Sequence, residues 1–434
     1  MNRHKSDNES FIRLTDSVRH SEKNTDRQSS GSDSRKFEEN AFLKNLKNIF
    51  FPRHNENSEA NQSDGNAGAA FENSISMSAA PVASPRDLWK NIPTDENILY
   101  YKPDSDSAFA EHDGFSVIAA SLRGRTHAHQ GIPRDDHFEF SRETVNGWSI
   151  LTVADGAGSQ QFALKGSEVA CSTVCSECTG KLSNPDHELN RLFSRIDDGS
   201  ITLPEHTPVL PTEAEKSIHR AGLELLAGAV MLAKDNLAAE AEKYNKEYAD
   251  DDDFSPVTAR DYATTLLIVI TRESSQGRLI ISFSVGDGVI ACCEHGSPGS
   301  KDATLHFSTL NEQDCGKYAG ETRFITSNSI FKDRQKLSSR LSVRISRETE
   351  AVILMTDGIS DPFFESERLL HSGSQWLNFW NDLTLCGEDH LELRRLSVKE
   401  NTEKLLKWLE FYKSGEHDDR TIIIMYRSHA ERNF

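Results

Sequence analysis

Five apolar runs in this chain each meet an aspartate at one end. They are "RDDHFEF" (Asp135, Asp136), "TVADGAG" (Asp155), "SVGDGVI" (Asp287), "LMTDGIS" (Asp357) and "EHDDRTIII" (Asp418, Asp419). Taken singly, an Asp-Gly step is an ordinary turn, because Asp bonds its own backbone and Gly tolerates positive φ. Five such junctions on different strands constrain the fold much further. Strand ends are rigid, so carboxylates placed there can converge at little entropic cost. Converging carboxylates repel one another unless a cation neutralises them. Hard divalent ions such as Mg²⁺ and Mn²⁺ want oxygen ligands. Two such ions about 4 Å apart can activate a water and clamp a phosphoryl group. The glycine after Asp155, Gly156, would let its carbonyl or a coordinated water come close.

The runs themselves read as strands: "FSVIAASLRG", "HFEFSR", "WSILTVA", "TTLLIVITR", "RLIISFSVG", "GVIACC", "EAVILMT" and "TIIIMY". Several are apolar throughout, as expected of sheets covered on both faces. Helical stripes lie between them. One spans residues 162 to 182, with Leu164, Cys171, Cys175, Cys178 and Leu182. A longer one spans 213 to 247, with Ile218, Leu225, Ala229, Leu232 and Asn236. A last helix near 398 to 413 is expected to stop at Gly415. Strands in clusters, with two long helices together between them, predict α+β layers rather than alternating βαβ units. "SVGDGVI" reads as an antiparallel hairpin around a Gly-Asp-Gly turn. The cysteine stripe could in principle hold zinc with His187, but small apolar side chains covering a sheet explain it better. Trp376, Phe379 and Trp380 read as helix core.

Residues 1 to 85 are rich in Ser, Asn, Glu, Lys and Arg and predict a disordered extension. A short amphipathic helix near 41–51 is the exception, with Phe42, Leu46, Ile49 and Phe50 on one face. The folded domain is expected over 86–434. A formal charge of -19 argues against nucleic-acid binding, which needs a basic face. There is no apolar run of about 18 residues and no apolar signal core at the start. The seven cysteines are not spaced as a disulfide framework. Together these predict a cytoplasmic protein that does not engage membranes.

At these residues the chain resembles the metal-dependent protein phosphatases of type 2C, in particular their divergent bacterial branch, over roughly residues 110 to 428. The motifs come in the family's order: Asp135 and Asp136 as the first acidic pair, then Asp155 and Gly156. After these come "ATTLLIV" (Ala263 to Val269), Gly286 and Asp287, and Thr356, Asp357 and Gly358. Last is "DDRT" (Asp418 to Thr421), with Asp419 where the family has Asn. The resemblance implies two packed antiparallel β-sheets flanked by helices. It implies a serine/threonine phosphoprotein phosphatase using two Mg²⁺ or Mn²⁺ ions, with room for a third near Asp261.

The metal set it implies is Asp135, Asp136, Asp155, Gly156, Asp287, Asp357 and Asp418, of which Asp155, Asp136, Asp357 and Asp418 carry catalysis. The chain departs from the family at two further places. Ala157 stands where a His is usual, and Gly131 where an Arg grips the phosphate. Arg134 and His127 are the expected phosphate contacts, with Arg123 and Arg125 as other nearby cations. The expected partner of a monomeric chain is a phosphoprotein, a Ser/Thr kinase or its target. Two other readings stand beside this one: a phosphoprotein-binding module of the same fold, and a small-molecule phosphoesterase.

Overall fold

The computed structural model describes residues 89–112, 114–203, 212–250, 254–296, 304–314 and 322–428 of the 434-residue chain. The chain divides into two units, Met1–Val82 and Ala83–Phe434, and every described residue belongs to the second. The extension at 1–85 and the helix near 41–51 lie outside the described residues.

The apolar strands are buried on both faces because they stack as two sheets between helices. Strands β1 (Ser105–His112) and β2 (Phe115–Leu122) are followed by a short helix, α1 (Arg125–Gln130). Next come β3 (His137–Phe140) and β4 (Ser149–Ala154), then helices α2 (Ala163–Leu182), α3 (Glu188–Asp197) and α4 (Glu213–Glu247). Strands β5 (Leu266–Ser274), β6 (Gly277–Val285), β7 (Val289–His295), β8 (Leu305–Thr309), β9 (Leu341–Ser346) and β10 (Thr349–Met355) follow. The chain closes with α5 (Asp357–Phe363), α6 (Gly373–Leu385), α7 (Val398–Trp408) and β11 (Arg420–Arg427). The first sheet has the order β1-β2-β11-β10-β7-β8 and the second β3-β4-β5-β6-β9. All neighbours are antiparallel.

Side chains alternate along each strand, so each feeds two cores. Val117, Ala119, Leu151, Val153, Ile423 and Met425 meet between the sheets. Ile118, Ala120, Ile422 and Ile424 pack outward with Trp376, Phe379 and Trp380 of α6 and Leu405 of α7. Ile150 and Ile268 pack on the opposite outer face with Cys171, Cys175 and Cys178 of α2 and Ile218 and Leu225 of α4. The cysteine stripe is therefore core.

Two expectations need correction. The strands around Gly-Asp-Gly do not pair: β6 lies in the second sheet beside β5 and β9, and β7 in the first beside β10 and β8. The turn is a crossover between sheets, made at Gly286 with φ 110°. The last helix ends at Trp408 rather than near 413. Arg420 donates through Nη1 to the carbonyls of Leu409 (2.5 Å) and Phe411 (2.6 Å), so those carbonyls are satisfied without another helical turn.

Candidate metal centre

The antiparallel pairings bring all five acidic junctions to one end of the sandwich. His137 pairs with Ala154, so Asp136 ahead of β3 and Asp155 after β4 are neighbours. Met355 pairs with both Ile422 and Val289, which brings Asp357, Asp418 and Asp287 to the same end of the first sheet. One oxygen each of Asp155, Asp287 and Asp357 lies within 4.8 Å of the others. Asp136 is in hydrogen-bond contact with Asp155 and with Thr421, and its Oδ2 accepts from Thr356 Oγ1 at 2.9 Å. Thr356 Oγ1 also accepts from the backbone N–H of Thr421 (3.1 Å), tying the start of β11 to the end of β10.

Two glycines are needed for this convergence. A Cβ on Gly358 would stand 1.8 Å from the Asp419 carbonyl oxygen. One on Gly156 would stand 2.8 Å from the Ala163 oxygen and 2.9 Å from the Asp135 Cβ. The space above Gly156 is thus taken by protein, and its backbone bridges to Thr264.

The carboxylates resist ionising together. Asp155 is held well above the usual range, first by desolvation and then by the charges of Asp357, Asp136, Asp418 and Asp287. Asp357 is raised too, by desolvation and then by Asp418 and Asp287. Asp136 is pushed up to about 7 by desolvation and the charges of Asp419 and Asp418. Asp418 rises through desolvation and its neighbour Asp419. Asp155, Asp287 and Asp357 are only half-buried as whole residues. Their charged ends nonetheless face one another more than water.

The donor set fits a hard divalent cation. It is all oxygen, and its mutual repulsion is what a cation would relieve. Asp287 offers a further sign. Its Oδ2 accepts from Thr322 Oγ1 and its carbonyl from Gln313 Nε2, yet Oδ1 is buried with no hydrogen-bond partner among the described residues. A buried carboxylate oxygen left bare is costly unless an ion takes it.

Other residues named from the sequence lie elsewhere. Asp135 is not one of the three clustered carboxylates, and its Oδ2 lies 3.9 Å from His127 Nε2. Desolvation pushes it up to about 7 against the opposing pull of His127. Arg134 does not reach outward for a phosphate. Its side chain is 2% exposed and donates to Pro103 O (3.0 Å), Ser121 Oγ (2.6 Å) and Asp136 O (3.0 Å), with Asp106 at 3.4 Å. It therefore braces the ligand turn from behind.

His127 is likewise turned inward. Burial alone would lower its pKa, but the Asp419 carboxylate at 3.0 Å raises it to about 9. Arg123 is committed to Asp104 (2.9 Å), Ile92 O (3.0 Å) and Ile132 O (3.2 Å). Arg125 differs. It is half-buried on the first turn of α1, with its guanidinium 4.6 Å from the ring centre of Tyr412. Asp261, expected near a third ion, accepts from the N–H and Oγ1 of Thr258 on its Oδ2 in a helix-capping box. Ala157 is 6% exposed and donates its N–H to Ala263 O (3.0 Å).

Sequence reasoning missed Lys102. Its Nζ donates to the carbonyls of Asp135 (3.3 Å) and Asp136 (3.0 Å) and to Ser167 Oγ (2.9 Å). Desolvation and the nearby Arg134 pull its pKa down to about 7. A lone lysine in "YYKPDS" carries no pattern that would single it out.

The fold and the site together define a class, the two-sheet sandwich with a cluster of carboxylates at one end. Within that class the chain belongs to the protein phosphatase 2C family, whose model matches residues 123–409. Solved structures align with it at low identity. The serine-threonine phosphatase 2C from Toxoplasma gondii is 12% identical over 75% of this chain and 99% of its own, with a TM-score of 0.41. The Mycobacterium tuberculosis serine/threonine phosphatase PstP/Ppp is 15% identical over 73% and 99%, with a TM-score of 0.35. The PstP catalytic domain in complex with 2 manganese ions is 14% identical over 72% and 97%, with a TM-score of 0.35. No curated protein matches the chain.

Proposed function

We propose that this chain hydrolyses phosphoserine and phosphothreonine in proteins, with two Mg²⁺ or Mn²⁺ ions held by Asp136, Asp155, Asp287, Asp357, Asp418 and the Gly156 carbonyl. The observation that carries this reading is the meeting of Asp155, Asp287 and Asp357 within 4.8 Å from three separate strand ends. Divalent ions in such a site supply a water activated near neutral pH and offset the charge on phosphoryl oxygens. The chain's own work is positioning. Asp155 contacts Asp136 and feels the charge of Asp357, and Thr356 donates to Oδ2 of Asp136.

Arg125, on the first turn of α1 with its guanidinium 4.6 Å from the Tyr412 ring centre, is the arginine assigned here to the substrate phosphate. The substrate is a kinase or a kinase's target, met in the cytoplasm by a single copy of the chain. The six described cysteines are all unpaired, as a reducing compartment keeps them.

Ala157 favours one second reading, a phosphoprotein-binding module without turnover, since no side-chain acid stands there to protonate a serine leaving group. Turnover of para-nitrophenyl phosphate and of a phosphoserine peptide with Mn²⁺ separates the two. The enzyme turns over both, the aryl ester faster by about 10² or more for want of that acid. Asp155→Asn abolishes both activities and weakens Mn²⁺ binding. A wild type that binds the phosphopeptide but releases no phosphate from either compound establishes the binding module instead.

A further inference from the structure

We propose that His127 and Asp419 form one positioning unit that sets the Asp135–Asp136 turn, and that this unit is why an aspartate stands at 419. The inference deepens the two-ion reading above and rests on it.

The Asp419 side chain is 1% exposed and collects three N–H donors. They are the backbone N–H of Gly124 (2.6 Å), the backbone N–H of Asp135 (2.5 Å), and His127 Nδ1, 3.0 Å from both oxygens. An ionised carboxylate only accepts, so Nδ1 donates to Asp419. An asparagine at 419 could accept on one oxygen alone, and its NH₂ would be turned on one of these donors. The aspartate is thus matched to its three donors, one of which is His127.

The donors come from the N-cap of α1, from α1 itself and from the turn ahead of β3. No sheet pairing links these segments at that point, so the Asp419 side chain does. The far edge of the imidazole closes the grip, with Nε2 facing Asp135 Oδ2 at 3.9 Å. Asp135 is therefore held through its N–H, with the imidazole edge beside its carboxylate. Asp136 is the next residue along, so anchoring the Asp135 main chain limits where Asp136 can stand, and there it meets Thr356 and Asp155.

The test is calorimetric titration of the full chain with Mn²⁺, with melting temperatures taken on the same samples. His127→Asn keeps an amide N–H where Nδ1 stood. His127→Gln moves it to the Nε2 position. Asp419→Asn removes the three-donor acceptor. His127→Asn should bind Mn²⁺ within about threefold of wild type, whereas His127→Gln and Asp419→Asn should each bind about tenfold or more weaker, the usual scale for groups that orient ligands. The His127→Gln/Asp419→Asn double variant should be no weaker than Asp419→Asn alone, as members of one unit are.

Folded His127→Gln and Asp419→Asn proteins that bind Mn²⁺ like wild type overturn the proposal and leave the two-ion reading standing. Equal losses in His127→Asn and His127→Gln also overturn it, because the Nδ1 donor would then not be what matters. If Asp419→Asn does not fold, the comparison of the two His127 variants decides alone. A wild type that binds no Mn²⁺ overturns the two-ion reading and this proposal together.

Discussion

Arg125 is the single side chain proposed to hold the substrate phosphate. Its two neighbours in sequence space, Arg123 and Arg134, have side chains 2% exposed and use their donors on carbonyls and carboxylates of the fold. Gly131 cannot be converted into the usual arginine without strain. It caps α1 with φ 72°, and a Cβ there would stand 2.8 Å from Ile92 Cγ2. If Arg125 swings from Tyr412 to the phosphate, Arg125→Ala should raise KM for para-nitrophenyl phosphate about tenfold with kcat little changed. That is the loss of one charge-assisted hydrogen bond of about 1.5 kcal/mol felt equally in ground and transition state. Steady-state kinetics check it, and an unchanged KM rules Arg125 out. At this scale the aspartates were legible because each interrupts an apolar run. Lys102 was not, because it reaches the site by touching carbonyls distant in sequence.

Among the elements, the loop from α7 to β11 sets Asp418, and Arg420 sets the loop. Its guanidinium serves Leu409 and Phe411 and lies 3.8 Å from the Phe411 ring centre. Arg420→Met should leave two carbonyls short of donors and cost about 2 kcal/mol, within the range for unsatisfied buried polar groups. Denaturant melts of the chelated protein measure that loss, and Mn²⁺ titration should show weaker binding because Asp418 is freed. Equal stability would mean water replaces the guanidinium. The long helices were legible from their stripes, and α4 occupies the predicted 213 to 247 span. Three strands were not: β1, β8 and β9. All three are sheet edges, where one side needs no partner and sequences such as "SDSAFAEH" suffice. The crossover at Asp287 was misread because turn chemistry is local, and it cannot say which sheet receives the next strand.

For the whole molecule, the buried charges give the metal-free fold a definite pH slope. Asp135 and Asp136 titrate near 7 instead of 3.8, so they favour the fold below about pH 4 and disfavour it as pH rises through 7. His127 titrates near 9 instead of 6.5, so its contribution is present below 6.5 and lost as pH rises through 9. Asp419 is lowered, and its contribution is lost only as pH falls below the ordinary carboxylate range. Melting temperature in chelator should therefore fall from pH 5 to pH 8. With Mn²⁺, which binds the ionised carboxylates, the slope should flatten or reverse. A chelated protein whose melting temperature climbs from pH 5 to 8 contradicts the assignment. The turn at Gly286 carries the chain from one sheet to the other with Asp287 on the way. Asp136 and Asp155 belong to the second sheet, and Asp357 and Asp418 to the first. The two ions proposed above, shared among them, would stitch the two layers together at that end. Starving such a protein of its ions would then not merely idle it: with only the apolar core left to join the layers at that end, the silent form would also be expected to be the one proteases cut sooner.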